Sequence, residues 1–559
     1  MSDPTATTPA VPAAPKMTAT PQQLVFADQD LLPIILSILD LDLGRQPSWF
    51  LNIALVSSVF KDAALDEDWM RISMVPSYVQ SSALKQIIDL LTANRVEEII
   101  LLGDTRVFSQ SFALSAHLIA MLAKRFKGGP FLPNLRSVFI QSLDATASAL
   151  YPIMVPSLLE TVDFHGTSLS SLFQVSYAYR SLIPNLPLDA PNLKNLVLDG
   201  GAGTISSQLS LAFLSELKCL ESLAILSPGT NLSNDAIIKI GQALPCLETL
   251  TLNIGTPLAI SCEAGLFNPC LFRSVPNAKA LFPALETLHL KVTRTGSAVF
   301  PPWFGHCSTC PPSLVGCLKT LTVQLLPQLI GNKDNIAFNA LPTQFARLAD
   351  CVSGIPGLEI LEITESPPRG VGIAFADVLA LVRVQTLQQL TINVLKLHAS
   401  SNTEEPQTWL HQLIDAAYGK PGRPTLSTLT LPPSSTSPVG LRCLKYVALH
   451  ARGIENLTVP IDSSLDSFTR TDFKVPGFIP TSTLRHLTIG DTRATKSFTL
   501  MEHRNIAHFI DRIFPNLETM KLYRGGHGVG DEHVENWAFI EQTRKDLKLT
   551  SQIFRPPQV

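Results

Sequence analysis

The sequence of 559 residues is poor in charge, since Lys, Arg, Asp and Glu make up only 16% of it, against roughly 25% in average soluble domains. The 43 basic and 46 acidic residues nearly cancel, and Lys and Arg never form a run. This balance excludes a strong nonspecific attraction to nucleic acid or to anionic membranes. Hydrophobic residues make up 45% of the chain, which excludes a disordered protein, because disorder requires low hydrophobicity and high net charge.

A long apolar run is also lacking. The longest uncharged stretch, 295–318, is interrupted by four prolines, whereas a spanning helix needs about 20 mostly apolar residues in succession. Residues 1–23 have neither the basic nor the apolar region of a signal peptide, so we expect a disordered leader there. Nine irregularly spaced cysteines do not indicate a disulfide framework. These features predict a cytoplasmic or nuclear protein.

One short phrase recurs along the chain: an apolar residue, two mostly polar residues, and then alternating apolar positions. Clear copies occupy 191–198, 217–225, 245–252, 283–290, 317–323, 356–363 and 515–522. Weaker copies occupy 96–101, 135–140, 158–164, 387–392, 426–431, 454–459 and 484–489. The first apolar residues, which we call the anchors, are 23 to 40 residues apart, with a mean near 32. The chain therefore contains about 14 irregular repeats.

The phrase predicts a short strand. Alternation with period two puts Leu250 and Leu252 on one face of the strand, and residues such as Thr251 on the other. Segments of helical period lie between the phrases. One, 231–245, carries an apolar stripe at Ile237, Ile240 and Leu244 and ends at a proline. Another, 504–514, has apolar residues at Ile506, Phe509, Ile510 and Ile513.

A strand and a helix of this size cannot bury their apolar faces alone, but stacking the units in parallel does so. Residues 95–525 therefore resemble the helix-backed leucine-rich-repeat family, which implies an α/β solenoid with strands on its concave face and helices on its convex face. The Asn or Cys that usually follows Leu-x-Leu is mostly missing. The positions expected to face outward carry no single sign of charge, which is typical of a protein interface. They include Lys194, Thr251, His289, Gln324 and Glu362.

Residues 24–75 do not fit the repeat. An apolar helix begins near Leu31-Leu-Pro33, and after a break a second helix, 50–60, is apolar over a wide arc and is followed by Trp69. This order resembles the F-box, a small helical module. The sequence departs from the F-box pattern in three places: Pro33 runs directly into Ile34 without an acidic residue, Ser57 replaces the usual Cys, and Phe60 replaces the usual Trp.

The F-box resemblance implies a non-catalytic substrate receptor of an adaptor–cullin–F-box ubiquitin ligase, in which the repeats bind a protein client that the sequence does not identify. By position, the surface that binds the adaptor would comprise Leu32, Pro33, Ile34, Ile35, Ile38, Leu55, Val56 and Phe60. The alternative is that 24–75 only cap the solenoid, since terminal repeats need a polar cap. In that case the protein is a repeat scaffold without a role in ubiquitin transfer.

Two clusters are candidates for chemistry. His306, Cys307 and Cys310 could bind zinc together with Cys262, Cys270 or Cys317, but no second Cys pair has matching spacing, so we expect an ordinary loop and no metal. The glycine-rich segment 524–533, which contains His527, Asp531, Glu532 and His533, lacks the Lys-Ser/Thr pair of a phosphate loop. We interpret it as a turn before a last helix that starts at Glu535. No catalytic motif, no cofactor site and no nucleic-acid or membrane partner is predicted.

The sequence thus predicts four parts. They are a disordered leader (1–23), an F-box-like helical module (24–75), a leucine-rich-repeat solenoid (76–530) and a C-terminal helix with a tail (531–559).

Overall fold

A computed structural model of the chain separates into two compact units, residues 1–139 with 153–159, and residues 140–152 with 160–559. The structure describes residues 71–74, 98–101, 134–140, 158–165, 183–199, 211–226, 240–254, 282–293, 317–326, 348–349, 352–353, 355, 357–365, 372–399, 408–419, 426–465, 482–493, 498–523 and 531–553. Among them, no helix is long and apolar enough to cross a membrane.

The first unit contains two paired strands, β1 (Arg71–Met74) and β2 (Glu98–Leu101), which run parallel with Arg71 opposite Glu98. A third strand, β3 (Ser137–Ile140), has its first three residues in this unit. The repeat phrase predicted β2 and β3. It did not predict β1, which lies within the range 24–75. The other residues of that range, 24–70 and 75, lie outside the described residues.

The second unit is built on one large parallel sheet. Its strands are β4 (Thr161–His165), β5 (Asn195–Asp199), β6 (Ser222–Ile225), β7 (Thr249–Ile254), β8 (Thr287–Thr293), β9 (Thr320–Leu326), β10 (Ile360–Glu365), β12 (Gln389–Asn393), β14 (Thr428–Thr430), β15 (Asn456–Ile461), β16 (His486–Asp491) and β17 (Thr519–Leu522). Each strand pairs with the next one in this order, so every added repeat extends the sheet by one strand. This architecture is α/β and is consistent with a leucine-rich-repeat-like solenoid.

The anchor residue sets where each strand begins. Leu193, Leu247 and Leu285 are fully buried, and the strand starts two residues later in each case. The same offset holds at the other predicted anchors except one, and all the predicted strands are present. The exception is the anchor placed at Leu158, where the prediction was wrong by one residue: Leu158 is 48% exposed and Leu159 is fully buried. Two adjacent leucines made the sequence ambiguous there.

A tight turn positions the anchor. The amide of Leu247 donates to the carbonyl of Leu244 at 3.4 Å, and the amide of Leu517 donates to that of Phe514 at 3.1 Å. Each bond closes a four-residue β-turn whose second residue is a proline, Pro245 or Pro515. Proline suits this position because its fixed φ matches the turn and it has no amide hydrogen to leave unpaired. The recurrent proline thus ends the helix and starts the next strand.

The helices among the described residues connect successive strands, except the last one, which follows β17. They are α1 (Leu186–Asp189), α2 (Phe375–Val382), α3 (Thr408–Tyr418), α4 (Leu444–His450), α5 (Leu500–Ile513) and α6 (Asp531–Ile553). Helices α2 to α5 contact one another in chain order, as expected for a layer behind the sheet. Helix α5 confirms the predicted helix at 504–514, and all four of its predicted apolar residues are buried. It starts earlier than predicted because Thr499 and Glu502 form a capping box.

A second, smaller sheet lies beside the C-terminal repeats, and the sequence did not predict it. Its strands, β11 (Gly372–Ala374) and β13 (Lys396–His398), are parallel, and Leu397 forms a further bridge to Ser435. The segment 432–440, between β14 and β15, is held by this bridge and by another between Val439 and Ile461. Neither strand is part of a copy of the repeat phrase, so the pattern that predicts the other strands gives no signal here.

The sheet of the second unit is concave over its C-terminal repeats. The hydroxyl of Tyr523, which follows β17, donates to Oδ1 of Asn393 in β12 at 2.6 Å. Four strand spacings of about 4.8 Å separate β12 from β17 along the sheet, which is too far for these side chains unless the sheet curves toward them. Gly490 in β16 packs closely against the backbone that follows β14, because a Cβ atom at this position would overlap the carbonyl oxygen of Pro433.

Helix α6 closes the end of the sheet. It begins at Asp531, four residues before the predicted start, and it packs against α5 and β17. Arg544 is 1% exposed; its Nε donates to Glu541 at 2.8 Å and its Nη1 donates to the carbonyl of Leu517 at 3.0 Å. These bonds satisfy a charge whose burial would otherwise be costly.

The alternation in β7 gives a direct test of the strand assignment. Leu250 is 2% exposed, whereas the side chain of Thr251 faces partly to solvent. Leu250→Asp should lower the free energy of unfolding by roughly 3–5 kcal/mol, because it buries an unpaired carboxylate. The adjacent control, Thr251→Asp, should lower it by less than about 1 kcal/mol. Equal losses in a denaturant titration would show that the assignment is wrong.

Candidate functional site

The strands of the second unit direct three rows of residues to one face, which we call the open face. The start row comprises Thr161, Asn195, Ser222, Thr249, Thr287, Thr320, Ile360, Gln389, Thr428, Asn456, His486 and Thr519. The middle row comprises Asp163, Val197, Ala224, Thr251, His289, Thr322, Glu362, Thr391, Thr430, Thr458, Thr488 and Lys521. The end row begins His165, Asp199, Leu226, Asn253, Lys291, Gln324 and Thr364.

Half of the start row and half of the middle row are threonine. Threonine favours strands because it is β-branched, and its hydroxyl remains available for hydrogen bonds on the open face. Some of these bonds join neighbouring repeats: Asn195 Nδ2 donates to Thr161 Oγ1 at 3.2 Å, and Asn456 Nδ2 donates to Thr428 Oγ1 at 3.1 Å. These threonine rows were not predicted from the sequence. Aligning the phrases on their anchors would have revealed them.

Charged residues line most of the edge of the sheet where the strands begin, at the position directly after the anchor, with Gln388 and Ser427 as uncharged exceptions. Three basic residues there form ion pairs with glutamates of the neighbouring repeat: Lys194 with Glu160 at 3.3 Å, Lys319 with Glu286 at 2.6 Å, and Arg485 with Glu518 at 3.7 Å. All six side chains are at least one-third exposed. Such pairs contribute little to stability, so we interpret this edge as a solvated surface.

A cleft of about 410 Å³ lies on the open face across β4 to β9. Val197 in β5, Ala224 in β6 and Leu226 directly after β6 form the apolar floor of the cleft. Its walls are polar, with Asp163 and His165 on the β4 side. The residues toward β8 and β9 are Thr251, His289, Leu290, Lys291, Thr322 and Gln324. An apolar floor with a few polar groups around it is the usual composition of a binding cleft.

His165 lies between two carboxylates at the β4 end of the cleft. Its Nε2 is 2.6 Å from Oδ1 of Asp163, and its Nδ1 is 3.4 Å from Oδ2 of Asp199. Strand geometry produces this cluster, because Asp163 is two residues back on the same face and Asp199 is directly opposite in β5. Hydrogen bonds to Asp163 and Asp199 raise the pKa of His165 to about 9. The ring is therefore positively charged at neutral pH.

On the β8 side of the cleft, the pKa of His289 is shifted in the opposite direction to that of His165. Burial lowers the pKa of His289, and the nearby Lys291 lowers it further, although Glu362 acts in the other direction. His289 is therefore neutral at neutral pH and can both donate and accept a hydrogen bond. The cleft consequently offers a carboxylate-rich wall, a neutral imidazole and one ammonium group. This mixture suits the backbone and side chains of a polypeptide better than a ligand of one charge.

The open face narrows at the C-terminal end of the sheet. There the end row continues as Asn393, Pro432, Pro460, Gly490 and Tyr523. Pro432, Pro460 and Gly490 are buried, and the hydrogen bond from Tyr523 to Asn393 crosses this row. A partner therefore has more room over β4 to β9 than over the end row of β12 to β17.

A second cluster of ionisable residues is enclosed and joins α6 to the sheet. The side chain of Asp491 is fully buried; it accepts hydrogen bonds from Ser463 Oγ at 2.7 Å and Trp537 Nε1 at 3.0 Å, and His533 Nε2 lies 3.4 Å away. Burial raises the pKa of Asp491, but hydrogen bonds from His533, Ser463 and Arg493 outweigh it and hold that pKa below its ordinary value. Because a substrate has no access, we interpret this cluster as structural.

The structure places few of the residues that the sequence analysis singled out. The predicted adaptor-binding residues (Leu32, Pro33, Ile34, Ile35, Ile38, Leu55, Val56 and Phe60) all lie outside the described residues, as do His306, Cys307, Cys310, Cys262 and Cys270 of the zinc candidate. Cys317 is exposed in the turn before β9. Among the residues that the structure describes, no three His, Cys, Asp or Glu side chains are grouped as metal ligands.

Four of the five expected outward positions, Thr251, His289, Gln324 and Glu362, are confirmed, since they lie partly exposed on the open face. The fifth, Lys194, lies at the sheet edge, one residue before β5. Three of these residues line the cleft.

Comparisons with known proteins do not identify a family for this chain. No family model and no curated protein matches the sequence. One matching solved structure is the leucine-rich-repeat ectodomain of the plant membrane receptor kinase GASSHO1/SCHENGEN3 from Arabidopsis thaliana, in complex with Casparian strip integrity factor 2. The match has a TM-score of 0.24 and 12% identity, and it covers 78% of this chain and 48% of that one. At this TM-score the likeness carries no argument, so the fold rests on the strand registers described above.

The His165 cluster predicts a pH dependence. The raised pKa means that its ion pairs stabilise the fold fully below pH 6.5, the ordinary pKa of histidine, and that this contribution is lost as the pH rises through about 9. Asp163→Asn should shift the pKa of His165 down, as measured by an NMR titration of its ring protons. Glu216→Gln, at an exposed site outside the cleft, is the control. An unchanged pKa in Asp163→Asn would contradict the ion-pair assignment.

Proposed function

We propose that this protein is a non-catalytic interaction scaffold whose open face binds a segment of another protein, with the cleft across β4 to β9 as the centre of the contact. The observation that carries the proposal is the cleft itself: an apolar floor at Val197, Ala224 and Leu226 between polar walls. Interfaces concentrate their binding energy in such central pockets, where a side chain of the partner is desolvated and a polar rim excludes water.

The regular strand frame supports this proposal. Because each repeat adds three outward residues at fixed spacing, the open face presents a continuous grid of side chains to an extended or folded partner. Threonine hydroxyls on that grid can donate or accept hydrogen bonds and lose little side-chain entropy on binding. The mixed charges around the cleft favour a polypeptide, in agreement with the interpretation of the sequence.

We further propose that residues 24–75 are an F-box, so that the protein is the substrate receptor of an adaptor–cullin–F-box ubiquitin ligase in the cytoplasm or nucleus. The support for this finer proposal is the order of the chain, in which an F-box-like sequence precedes the repeats. A scaffold without a ligase role, in which the same residues cap the repeats, is the competing proposal. Binding of the adaptor distinguishes the two.

The adaptor experiment is a pull-down of the purified ligase adaptor by the full chain. We expect the wild-type chain to bind it and the Leu55→Asp/Phe60→Asp variant to lose binding, because both changes put charge on the predicted apolar contact surface. Leu188→Asp/Leu500→Asp, at side chains that are 80% and 75% exposed, is the matched control and should bind normally. If the folded wild-type chain does not retain the adaptor, the ligase role is wrong and the cap proposal stands.

The cleft experiment compares partners recovered by affinity purification with the full chain. Ala224→Arg should fill the floor of the cleft without entering the core and should remove a defined set of partners. Thr430→Arg, in the same row but on β14, is the matched control and should keep that set. Adaptor binding should be unchanged in both variants. If the two variants recover the same partners as the wild type, the cleft is not the centre of the contact.

A further inference from the structure

Two exposed cysteines, Cys219 and Cys246, occupy the same position in neighbouring repeats. Each is the third residue of the β-turn that precedes a strand: Leu217 to Leu220 before β6, and Leu244 to Leu247 before β7. The two turns are closed by the same hydrogen bond, with lengths of 3.1 Å and 3.4 Å. Equal positions in equal turns give the two side chains the same direction.

The two turns are also stacked directly on each other. The amides of Glu248 and Thr249 both donate to the carbonyl of Glu221, at 2.8 Å and 3.0 Å, so the parallel ladder extends beyond the strands to within two residues of each cysteine. Beside Cys219, the ammonium group of Lys218 donates to the carbonyl of Ala243 in the next repeat at 3.1 Å. These bonds hold the two turns in a fixed register.

This register sets the separation of the two cysteines. Neighbouring rungs of a parallel ladder are about 4.8 Å apart, and disulfides join residues whose Cα atoms are 4.4–6.8 Å apart. Both thiols are exposed, so a small oxidant can reach them. Cys317 occupies the same turn position before β9, but its counterparts in the adjacent repeats are Ala284 and Gly357, so it has no thiol partner there.

We propose that Cys219 and Cys246 are a cross-repeat dithiol that glutathione disulfide converts to an intramolecular disulfide. One thiolate attacks the oxidant, forms a mixed disulfide and releases one glutathione thiolate. The second thiolate attacks the protein sulfur of that mixed disulfide and releases the second glutathione. The dithiol loses two electrons and two protons, and one glutathione disulfide becomes two glutathione molecules.

The position of the pair connects it to the open face. The linked turns lead directly into β6 and β7, which carry Ala224 and Thr251 of the cleft. A disulfide there would fix these two repeats against each other and would raise the melting temperature of the chain, because it constrains the unfolded state. This inference does not depend on what binds in the cleft.

The test oxidises the full chain with glutathione disulfide, blocks the remaining thiols and digests with trypsin and an endoprotease that cuts after glutamate. Cleavage at Lys218, Glu221, Lys239 and Glu248 places each cysteine on its own peptide. We expect peptide 219–221 to be linked to peptide 240–248, and reduction to separate them. In Cys246→Ser, Cys219 should instead retain glutathione. The control Cys317→Ser should give the same linked peptide as the wild type.

A melting experiment on the same samples supplies a second readout. Oxidation should raise the melting temperature of the wild type and of Cys317→Ser, and it should leave that of Cys246→Ser unchanged. If Cys219 and Cys246 are each recovered with their own glutathione, or joined to other cysteines, the proposal is overturned.

Discussion

The structure of the second unit depends on one constraint, the burial of the anchor residue directly after a tight turn. The turn ends one connection, the anchor enters the core, and the strand begins two residues later, as at Leu247 before β7. Because a shift of one residue would move every side chain of a strand to the opposite face, burial of the anchor also decides which residues face solvent. The threonine rows, the cleft and the paired cysteine turns all follow from this offset.

Much of the fold could be predicted because the anchor and the alternating leucines leave a clear pattern in the sequence. Strands β2 to β10, β12 and β14 to β17, together with helix α5, carry enough periodic apolar residues to be predicted. The error at Leu158 arose where two leucines are adjacent, and only packing distinguishes them. Strands β1, β11 and β13 were missed because none of them is part of a copy of the repeat phrase.

The candidate site was harder to predict, because it is built from residues that are distant in sequence. Asp163, His165 and Asp199 meet only after β4 and β5 pair, and the cleft requires small side chains, such as Ala224, between larger ones on other strands. A sequence pattern indicates which residues face outward but does not indicate the volume between them. The three outward residues that line the cleft were predicted as exposed, and their grouping came from the structure.

The most direct test of this account measures solvent access along a strand whose repeat phrase is weak. In β14, Leu429 is fully buried and Thr430 is on the open face. The rate of thiol alkylation, quantified at each site by peptide mapping, should be on the order of tenfold or more higher in Thr430→Cys than in Leu429→Cys, because only the latter requires local unfolding. Equal rates at the two positions would contradict the anchor-defined frame and the open face that is derived from it.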